Sequence, residues 1–413
     1  MLDESLKERM DAYRVLLLWQ GEGAFIKESG LTPFAMELAL GVCRRHLYLQ
    51  HFVKSLVKKM PSQEVTTVLE LGLFQMFFME VPDHAAVATS VDLAKAANLG
   101  EGSARLVNAV LHAARRSGLP ALPSQRVRRV SIENSVPEWL VRRWFDVYGA
   151  DRAEQLAKAT LERPVEWIRV NLQKTSAPVV AQKLGLTGAS ILYDRFIQVS
   201  ADAKLKALLE SESFAKGEFS LQNPSAYEVV KLLDLKAGLK VWDACAAPGG
   251  KSALMAEMDP ALDILASDVS DFRVEKMQDV IGRLGLKNVK VQCIDALAPA
   301  DLPKFDRILL DVPCSNMGVM ARRPESKYRV TQQSIGELAE LQYNILEAAS
   351  ARLAEGGILV YATCSPDPLE TTQVVKRFLK AHPDFAKRGE PVLPGESDLR
   401  FDGFFAQALE YKK

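Results

Sequence analysis

The stretch Asp243-Ala-Cys-Ala-Ala-Pro-Gly-Gly-Lys-Ser252 decides the fold of this chain. It stands between a β-rich run, Lys240–Trp242, and a helical pattern, Lys251–Met258. A pair of glycines between a strand and a helix lets the backbone come close to a ligand. We therefore predict a strand–turn–helix unit whose turn binds a small molecule. Asp243 is expected to accept a hydrogen bond from a cationic or amino group there.

Two other kinds of glycine-rich loop do not fit this stretch. A phosphate-binding loop needs a glycine five residues before Gly250, and Cys245 stands at that position. The dinucleotide fingerprint GxGxxG does not fit the stretch either. A tight turn without any ligand stays open as an alternative, although a structural turn rarely needs the whole string.

Strand and helix patterns alternate around this turn. The predicted strands are Lys240–Trp242, Ile264–Ser267, Val289–Cys293, Arg307–Leu310 and Ile358–Ala362, and the predicted helices are Lys251–Met258, Arg273–Leu284, Gly336–Leu353 and Thr371–Ala381. This alternation predicts a parallel sheet that is covered by helices on both faces. A last apolar run, Gly403–Leu409, is predicted to add an edge strand.

The front of the chain, residues 1–118, is predicted to be entirely helical. Apolar residues recur every three or four positions in Ala12–Trp19, Phe34–Leu47, Val65–Met79, Ala85–Ala97 and Ala104–Ala114. Ser103 is the expected N-cap of the last of these helices. A proline-containing linker over 117–127 runs into the basic residues Arg126, Arg128 and Arg129. Two helices within 137–161, the strand Trp167–Asn171 and the helix Val179–Leu184 predict a small α+β unit next.

Composition limits the classes of protein to consider. A chain of 413 residues suggests two or three domains. Its 52 basic and 52 acidic residues balance, so composition alone indicates no nucleic-acid partner. Five cysteines without a CxxC pair argue against a disulfide framework or a metal site, and indicate a reducing, cytoplasmic compartment. The sequence has no apolar run of the ~18 residues that a membrane span needs.

Acidic residues follow the second and third predicted strands, where ligands bind in sheets of this kind. Asp268 is suited to accept hydrogen bonds from ribose hydroxyls, since it lies about 20 residues past the glycine turn. An N-cap for the helix near Arg273 is the alternative role. Asp295 is placed to accept from an adenine amino group. Cys293, just before it, is expected to be a small core residue.

Two cysteines follow the fourth and fifth predicted strands. Cys314 stands in Asp311-Val-Pro-Cys-Ser315, and Cys364 stands in Thr363-Cys-Ser-Pro366. Because both turns lie at the ends of strands of one sheet, the two thiols are expected to meet over the ligand site. A pair of buried structural thiols is the alternative. The proline in each turn favours exposed, reactive cysteines.

These motifs resemble the signature motifs of the RNA cytosine-5 methyltransferases of the NOL1/NOP2/Sun family. The front half, with Glu70–Val81, Pro82–Val87 and Leu106–Val110, resembles a NusB-like domain, and the pairing is that of the bacterial 16S ribosomal RNA methyltransferase B group. The resemblance implies an α/β Rossmann-like class I methyltransferase domain over 229–413. It implies that an all-α NusB-like RNA-binding domain over 1–130 and a small α+β linker domain over 131–228 precede it.

The resemblance also implies cofactor, partner and site residues. It implies binding of S-adenosyl-L-methionine by Cys245, Ala246, Ala247, Pro248, Gly249, Gly250, Lys251, Asp268, Asp295 and Asp311. Cys364 is the implied nucleophile, Asp311 the contact to N3 of the base, and Cys314 the group that removes the C5 proton. Lys251 and Lys327 are expected to lower the pKa of Cys364. The implied partner is 16S ribosomal RNA, free or in early assembly.

The sequence departs from the family pattern at three places, and two other functions are alternatives to this interpretation. Asn316-Met317 stands where the family usually has Gly-Thr, Ser252 replaces a common Thr, and Asn223 replaces a common Asp. One alternative is a ribosome-assembly or antitermination factor whose catalytic half has decayed. The other is a methyltransferase for protein or a small molecule. The paired cysteines argue against the second, because methylating nitrogen or oxygen needs no thiol adduct.

Overall fold

The computed structural model describes residues 3–26, 30–79, 81–186, 188–200, 205–299, 301–393 and 402–412. The chain divides into two compact units. The first consists of Met1–Arg163 and Met320–Arg329, and the second of Pro164–Val319 and Val330–Lys413. The chain thus leaves the second unit after Val319 and returns to it at Val330. No helix among the described residues is both long and apolar enough to cross a membrane.

The first unit is helical. Its helices are α1 Glu4–Glu22, α2 Pro33–Arg44, α3 His46–Leu56, α4 Gln63–Phe78, α5 Asp83–Ala96, α6 Glu101–Ser117, α7 Arg126–Asn134, α8 Glu138–Tyr148, α9 Ala150–Ala159 and the short α16 Ser326–Arg329. Helix α4 is the centre of this unit, because residues on all its sides are buried and it packs against α1, α2, α3, α5 and α6. Gly41 lets α2 approach it, since a Cβ there would lie 2.0 Å from the ring of Phe74.

The predicted helices of the first unit are observed, with two corrections. The pattern Phe34–Leu47 is interrupted at Arg45, and a separate helix, α3, continues to Leu56 with Phe52 and Val53 buried. Ser103 lies inside α6 rather than capping it. Gly100 is the N-cap, with a φ of 84° that a glycine adopts without strain.

The basic residues that follow the linker lie in α7 and are partly paired. Arg126 forms ion pairs with Asp151 at 2.9 Å and with Glu154 at 2.6 Å. Arg129 lies 3.4 Å from Glu154 as well. The carboxylates of α9 therefore offset much of the positive charge that the sequence pattern suggested for this part of the surface.

Residues 320–329 complete the first unit. Lys327 is fully buried, and its ammonium lies 3.2 Å from each of the main-chain carbonyl oxygens of Arg44 and Asn134. The hydroxyl of Tyr328 lies 3.1 Å from the carbonyl oxygen of Cys43 and 3.0 Å from that of Ser135. Burial lowers the pKa of Lys327 to about 7. The segment is thus part of the interior of the helical unit.

The second unit begins with a small antiparallel sheet in the order β2-β3-β1-β4. Its elements are β1 Glu166–Val170, α10 Ala177–Lys183, β2 Ile191–Leu192, β3 Phe196–Val199, α11 Leu205–Leu209, α12 Glu212–Ala215 and β4 Phe219–Leu221. One face of the sheet and helix α10 share a core that includes Ile168, Val180 and Phe219. The predicted strand at Trp167–Asn171 and helix at Val179–Leu184 correspond to β1 and α10.

A seven-stranded sheet in the order β10-β11-β9-β8-β5-β6-β7 forms the rest of the second unit. Its elements are α13 Ser225–Lys231, β5 Lys240–Asp243, α14 Gly250–Met258, β6 Asp263–Asp268, α15 Asp271–Leu284, β7 Val289–Cys293, β8 Phe305–Asp311, the 3₁₀ turn Met317–Val319, α17 Gln332–Ser350, β9 Leu353–Thr363, α18 Thr372–Ala381, β10 Phe385–Val392 and β11 Phe405–Tyr411. Strands β5 to β9 pair in parallel. Strand β11 pairs antiparallel with β9, and β10 pairs antiparallel with β11. Successive residues of β5 face opposite cores: Val241 packs with α14 and α15, and Trp242 with α17 and α18.

The five predicted parallel strands and the helices between them are confirmed. The run Gly403–Leu409 does contain a strand, β11, but it is not at the edge of the sheet. Strand β10 covers it on the outer side, and the polar segment Lys387–Glu390 of β10 is exposed, which is common for an edge strand. Strand order reverses around β5, which lies between β6 and β8, so the glycine loop starts at the switch point where ligands bind in such sheets.

Candidate functional site

The glycine loop joins β5 to α14 at the carboxyl edge of the parallel strands. Its main chain is fixed on one side by a hydrogen bond from Ala246 N to the carbonyl oxygen of Ser267, at 2.8 Å. Gly249 precedes α14 with a φ of 94°, and a Cβ there would lie 2.8 Å from the side chain of Met277. The site therefore requires glycine at this position, as the sequence pattern predicted.

Asp243, the last residue of β5, is completely buried. Its Oδ2 accepts a hydrogen bond from Ser252 at 2.6 Å, whereas its Oδ1 has no partner among the described residues. Burial raises the pKa of Asp243 to about 7, despite the hydrogen bond from Ser252. A buried carboxyl oxygen without a donor is rare in proteins, and a ligand with an amino or ammonium group would satisfy it. The site thus fits the kind of ligand that the sequence predicted.

Asp268 and Asp295 follow the neighbouring parallel strands β6 and β7. Asp268 is 3% exposed, and its Oδ1 accepts from Ser270 N at 3.1 Å and from Arg273 at 2.9 Å. Helix α15 is capped at Ser270, so Asp268 is not its N-cap. Asp295 is exposed and accepts from Leu297 N at 2.9 Å. Both predicted acceptors therefore lie at the same edge of the sheet as the glycine loop.

Cys293 is exposed, so the expectation of a core residue was wrong. It ends β7, and β7 is the outermost strand on that side of the sheet. Side chains near the end of an edge strand have fewer neighbours than those of an interior strand. The apolar character of free cysteine was therefore a poor guide at this position.

Lys251 and Asp311 form an ion pair beside the glycine loop. The ammonium of Lys251, in the first turn of α14, lies 2.5 Å from Oδ2 of Asp311 at the end of β8. It also lies over the ring of Phe404, 4.7 Å from its centre. Burial is the largest single influence on Lys251 and lowers its pKa, but the charge and hydrogen bond of Asp311, together with Asp243 and Cys364, outweigh burial and raise the pKa of the lysine. The pair places a protonated lysine and a carboxylate together at the site.

The sulfur atoms of Cys314 and Cys364 lie 2.8 Å apart. Cys314 is in the loop after β8, and Cys364 directly follows the neighbouring parallel strand β9. The main chain continues the pairing of the two strands as far as Val312, whose N donates to the carbonyl oxygen of Ala362. The expectation that the two cysteines meet at the carboxyl edge is thus confirmed geometrically.

The surroundings of Cys364 differ from the expectation of a lowered thiol pKa. The contact with Cys314, burial and the charge of Asp311 raise the pKa of Cys364 well above its ordinary value, and Lys251 offsets them only in part. Lys327, the other lysine expected to act on Cys364, is buried within the helical unit, where its ammonium contacts the carbonyl oxygens of Arg44 and Asn134. Cys364 is therefore a thiol, not a thiolate, in the structure at neutral pH.

A buried glutamate that the sequence did not single out joins the two cysteine loops. Glu370 Oε1 accepts from the main-chain N of Ser315 at 2.9 Å and from Gln342 at 3.0 Å. Its Oε2 lies 2.5 Å from the hydroxyls of both Ser315 and Ser365. The only trace of this arrangement in the sequence is that a serine follows each cysteine. The position of Glu370, six residues after Cys364, carried no signal of its own.

Arg169 connects the small sheet to the glycine loop. Its buried guanidinium pairs with both carboxylate oxygens of Glu257, at 2.8 and 2.9 Å, and donates to the carbonyl oxygen of Gly250 at 2.9 Å. It also contacts Gln222 Oε1. Bidentate pairs of this kind fix orientation as well as distance. Arg169, with Gln222 beside it, therefore supports the glycine loop.

Family comparisons agree with this fold. Residues 230–397 match the family described as 16S rRNA methyltransferase RsmB/F, which makes the second unit a methyltransferase. Residues 22–116 match the NusB family, and 136–197 match the ferredoxin-like domain of RsmF/B-like methyltransferases. The probable ribosomal RNA small subunit methyltransferase B of Bacillus subtilis is 33% identical over 95% of this chain and 89% of that protein. The chain belongs to the ribosomal RNA small subunit methyltransferase B family.

Solved structures with the same fold include PH0851, with a TM-score of 0.80 and 22% identity over the whole of both chains. NSun6 from Pyrococcus horikoshii, solved with SFG, has a TM-score of 0.58 and 23% identity. The match covers 67% of this chain and 98% of the NSun6 chain. At this level of identity the likeness concerns the fold.

Proposed function

We propose that this protein methylates carbon 5 of a cytosine in 16S ribosomal RNA, with S-adenosyl-L-methionine as methyl donor, through a covalent adduct of Cys364. The observation that carries the proposal is the contact of Cys314 and Cys364 at 2.8 Å, at the ends of two strands beside the Lys251–Asp311 pair. Methylation of nitrogen or oxygen has no use for two thiols at the reacting atom, whereas methylation of carbon 5 does.

The proposed reaction begins with transfer of the thiol proton of Cys364 to the carboxylate of Asp311, and the sulfur then adds to carbon 6 of the base. The addition makes carbon 5 nucleophilic enough to take the methyl group, which divides one difficult step into easier ones. Asp311 passes this proton to N3 as negative charge develops on the ring, and the ammonium of Lys251 beside it stabilises the same charge. Cys314, in its thiolate form, then accepts the proton of carbon 5. The bond between carbon 6 and Cys364 breaks with its electron pair on the sulfur, which restores the double bond, and N3 returns its proton to Asp311.

Binding of the methyl donor is proposed for the loop residues 245–251 together with Asp268, Asp295 and Asp311. The unpartnered, buried Oδ1 of Asp243 and the nearly buried carboxylate of Asp268 support this assignment. S-adenosyl-L-methionine, when bound there, would supply an electrophilic methyl group. The P. horikoshii protein of the same fold was solved with SFG, an analogue of S-adenosyl-L-methionine, and this supports the choice of ligand.

The helical unit is proposed to bind ribosomal RNA without taking part in the chemistry. Its match to the NusB family and the name of the B. subtilis relative support this role. We propose further that the protein acts in the cytoplasm on 16S RNA that is free or in early assembly. An assembly factor without catalysis is the competing function. Retention of both cysteines, the lysine–aspartate pair and the glycine loop favours the enzyme over that alternative.

Two cysteine variants test the proposed function. Cys364→Ala should abolish both methylation and adduct formation, because the nucleophile is gone. Cys314→Ala should still attack the base and then remain attached to RNA, because the group that accepts the C5 proton is missing. Denaturing gels with labelled 16S RNA and S-adenosyl-L-methionine report the adduct, and bisulfite sequencing reports the methylated cytosine. Normal methylation by Cys364→Ala contradicts the mechanism, and an adduct with Cys364→Ala alone would reverse the two roles.

A further inference from the structure

Asn316 touches both cysteine residues. Its Oδ1 lies 3.2 Å from the sulfur of Cys364, which donates to it, and its Nδ2 donates to the main-chain carbonyl oxygen of Cys314 at 3.0 Å. A carbonyl oxygen can only accept, so the carboxamide nitrogen must face Cys314 and the carboxamide oxygen must face Cys364. The orientation of the amide is therefore determined by its partners.

The main chain explains how an asparagine can stand at this position. Asn316 has a φ of 59°, in the left-handed region that glycine enters freely and asparagine more readily than most other residues. Asparagine therefore fits the conformation of this loop, and its carboxamide contacts the nucleophile of the proposed reaction.

We propose that Asn316 restrains the nucleophile: its carboxamide oxygen accepts the thiol hydrogen of Cys364 in the free protein and so opposes formation of the thiolate. The inference rests on the proposed function, because it takes Cys364 as the nucleophile. A hydrogen bond that the neutral form donates is lost when the group ionises, so it favours the thiol over the thiolate. Glycine at this position offers no such acceptor.

Other groups also act on the ionisation of Cys364 and must stay in place in any test. Cys314, in the loop after β8, touches the sulfur, and Asp311 at the end of β8 opposes a negative charge. Lys251, in the first turn of α14, favours that charge. Substitutions confined to Asn316 leave all three in the protein and change only the acceptor that faces the thiol.

Two substitutions should move the ionisation of Cys364 in opposite directions. Asn316→Gly removes the acceptor at no conformational cost, so alkylation of Cys364 by iodoacetamide at pH 7 should be about threefold to tenfold faster. Asn316→Asp keeps the shape but places a carboxylate against the sulfur, so alkylation at the same pH should be slower. Site-resolved mass spectrometry of the alkylated full-length protein over a range of pH measures both rates.

Cys293 is an internal control, because it is exposed and its alkylation should be equal in all three proteins. If Asn316 had only a structural role, the two substitutions would change the alkylation rate of Cys364 in the same direction. Alternatively, they would change the melting temperature of the protein and leave the pH dependence of that rate unchanged. Either result, or shifts below threefold in both variants, overturns the inference. The measurement needs neither RNA nor methyl donor, so it separates failure of this inference from failure of the proposed function.

Discussion

At the scale of single residues, the site depends on ionisable groups that burial and neighbours have moved from their ordinary behaviour. Asp243 retains its proton to about pH 7 because it is buried, and Lys251 stays charged because Asp311 faces it. Groups shifted in this way are concentrated at functional sites. Asp243 and Lys251 therefore connect the chemistry of the site to the stability of the fold.

Asp243→Asn should become more stable relative to the natural protein as pH rises. The carboxyl of Asp243 loses its proton near pH 4 in the unfolded chain and near pH 7 in the folded one, so ionisation destabilises the fold between these values. The neutral amide removes that loss, which is on the order of a few kcal/mol at pH 8 for a fully buried group. Urea denaturation at pH 5 and pH 8 measures the difference, and a difference that does not change with pH contradicts the prediction.

At the scale of secondary-structure elements, Glu370 holds the loop after β8 to the loop after β9. It contacts the serines that follow both cysteines, and Tyr361 in β9 donates to its main-chain carbonyl oxygen at 2.6 Å. Because buried carboxylate hydrogen bonds are strong and directional, they fix where the two thiols stand. The separation of the two sulfurs is thus a property of two loops rather than of two residues.

Glu370→Gln should lower kcat roughly tenfold to a hundredfold, since an error near 1 Å in position can have an effect of that size. The amide keeps an oxygen on one side only. If that oxygen faces the hydroxyls of Ser315 and Ser365, the amide nitrogen faces the main-chain N of Ser315 and the side chain of Gln342, which are donors, so both of those hydrogen bonds are lost. Binding of S-adenosylhomocysteine should be unchanged, which calorimetry checks beside the kinetics. Glu337→Gln, on the exposed side of α17, is a control for the loss of one negative charge. Equal kcat in Glu370→Gln and the natural protein rules out this role.

Sequence patterns predicted the elements that local periodicity determines and missed features that depend on distant partners. The alternation of strand and helix patterns around the glycine loop was sufficient to predict strands β5 to β9. The positions of Cys314 and Cys364 followed because the carboxyl ends of parallel strands lie at one edge of the sheet. The outer strand β10 was missed because its exposed, polar residues lack an apolar pattern. Glu370 and Lys327 were not understood because their partners lie far away in the chain or in another element.

At the scale of the whole molecule, residues 320–329 are the part of the chain that breaks the simple order of domains. The domain limits at 130 and 228 stay a prediction, whereas the compact helical unit extends to Arg163 and includes this later segment. Lys327 is the most deeply buried cation of the segment, with no exposed surface. Its ionisation should therefore affect the stability of the helical unit.

Lys327→Met should flatten the dependence of stability on pH between about 7 and 10. Burial keeps the folded lysine neutral above pH 7, whereas the unfolded lysine holds its proton to about pH 10.4, so the natural protein gains stability as pH rises through this range. Methionine has a similar length and no charge, so the variant lacks that gain. Melting temperatures from pH 6.5 to 9.5 follow the effect. Lys304→Met, at an exposed lysine, should keep the natural profile.

The excursion of the chain through residues 320–329 has a consequence for how the protein is made. On a translating ribosome the helices up to α9 emerge first, yet the carbonyl groups of Arg44 and Asn134 receive their donor only when Lys327 has been synthesised. The helical unit is therefore completed late in translation, after most of the sheet has emerged. A nascent or truncated chain that ends at Arg163 therefore exposes the part of the helical unit that residues 320–329 cover in the complete protein. That exposed surface is where a chaperone would bind.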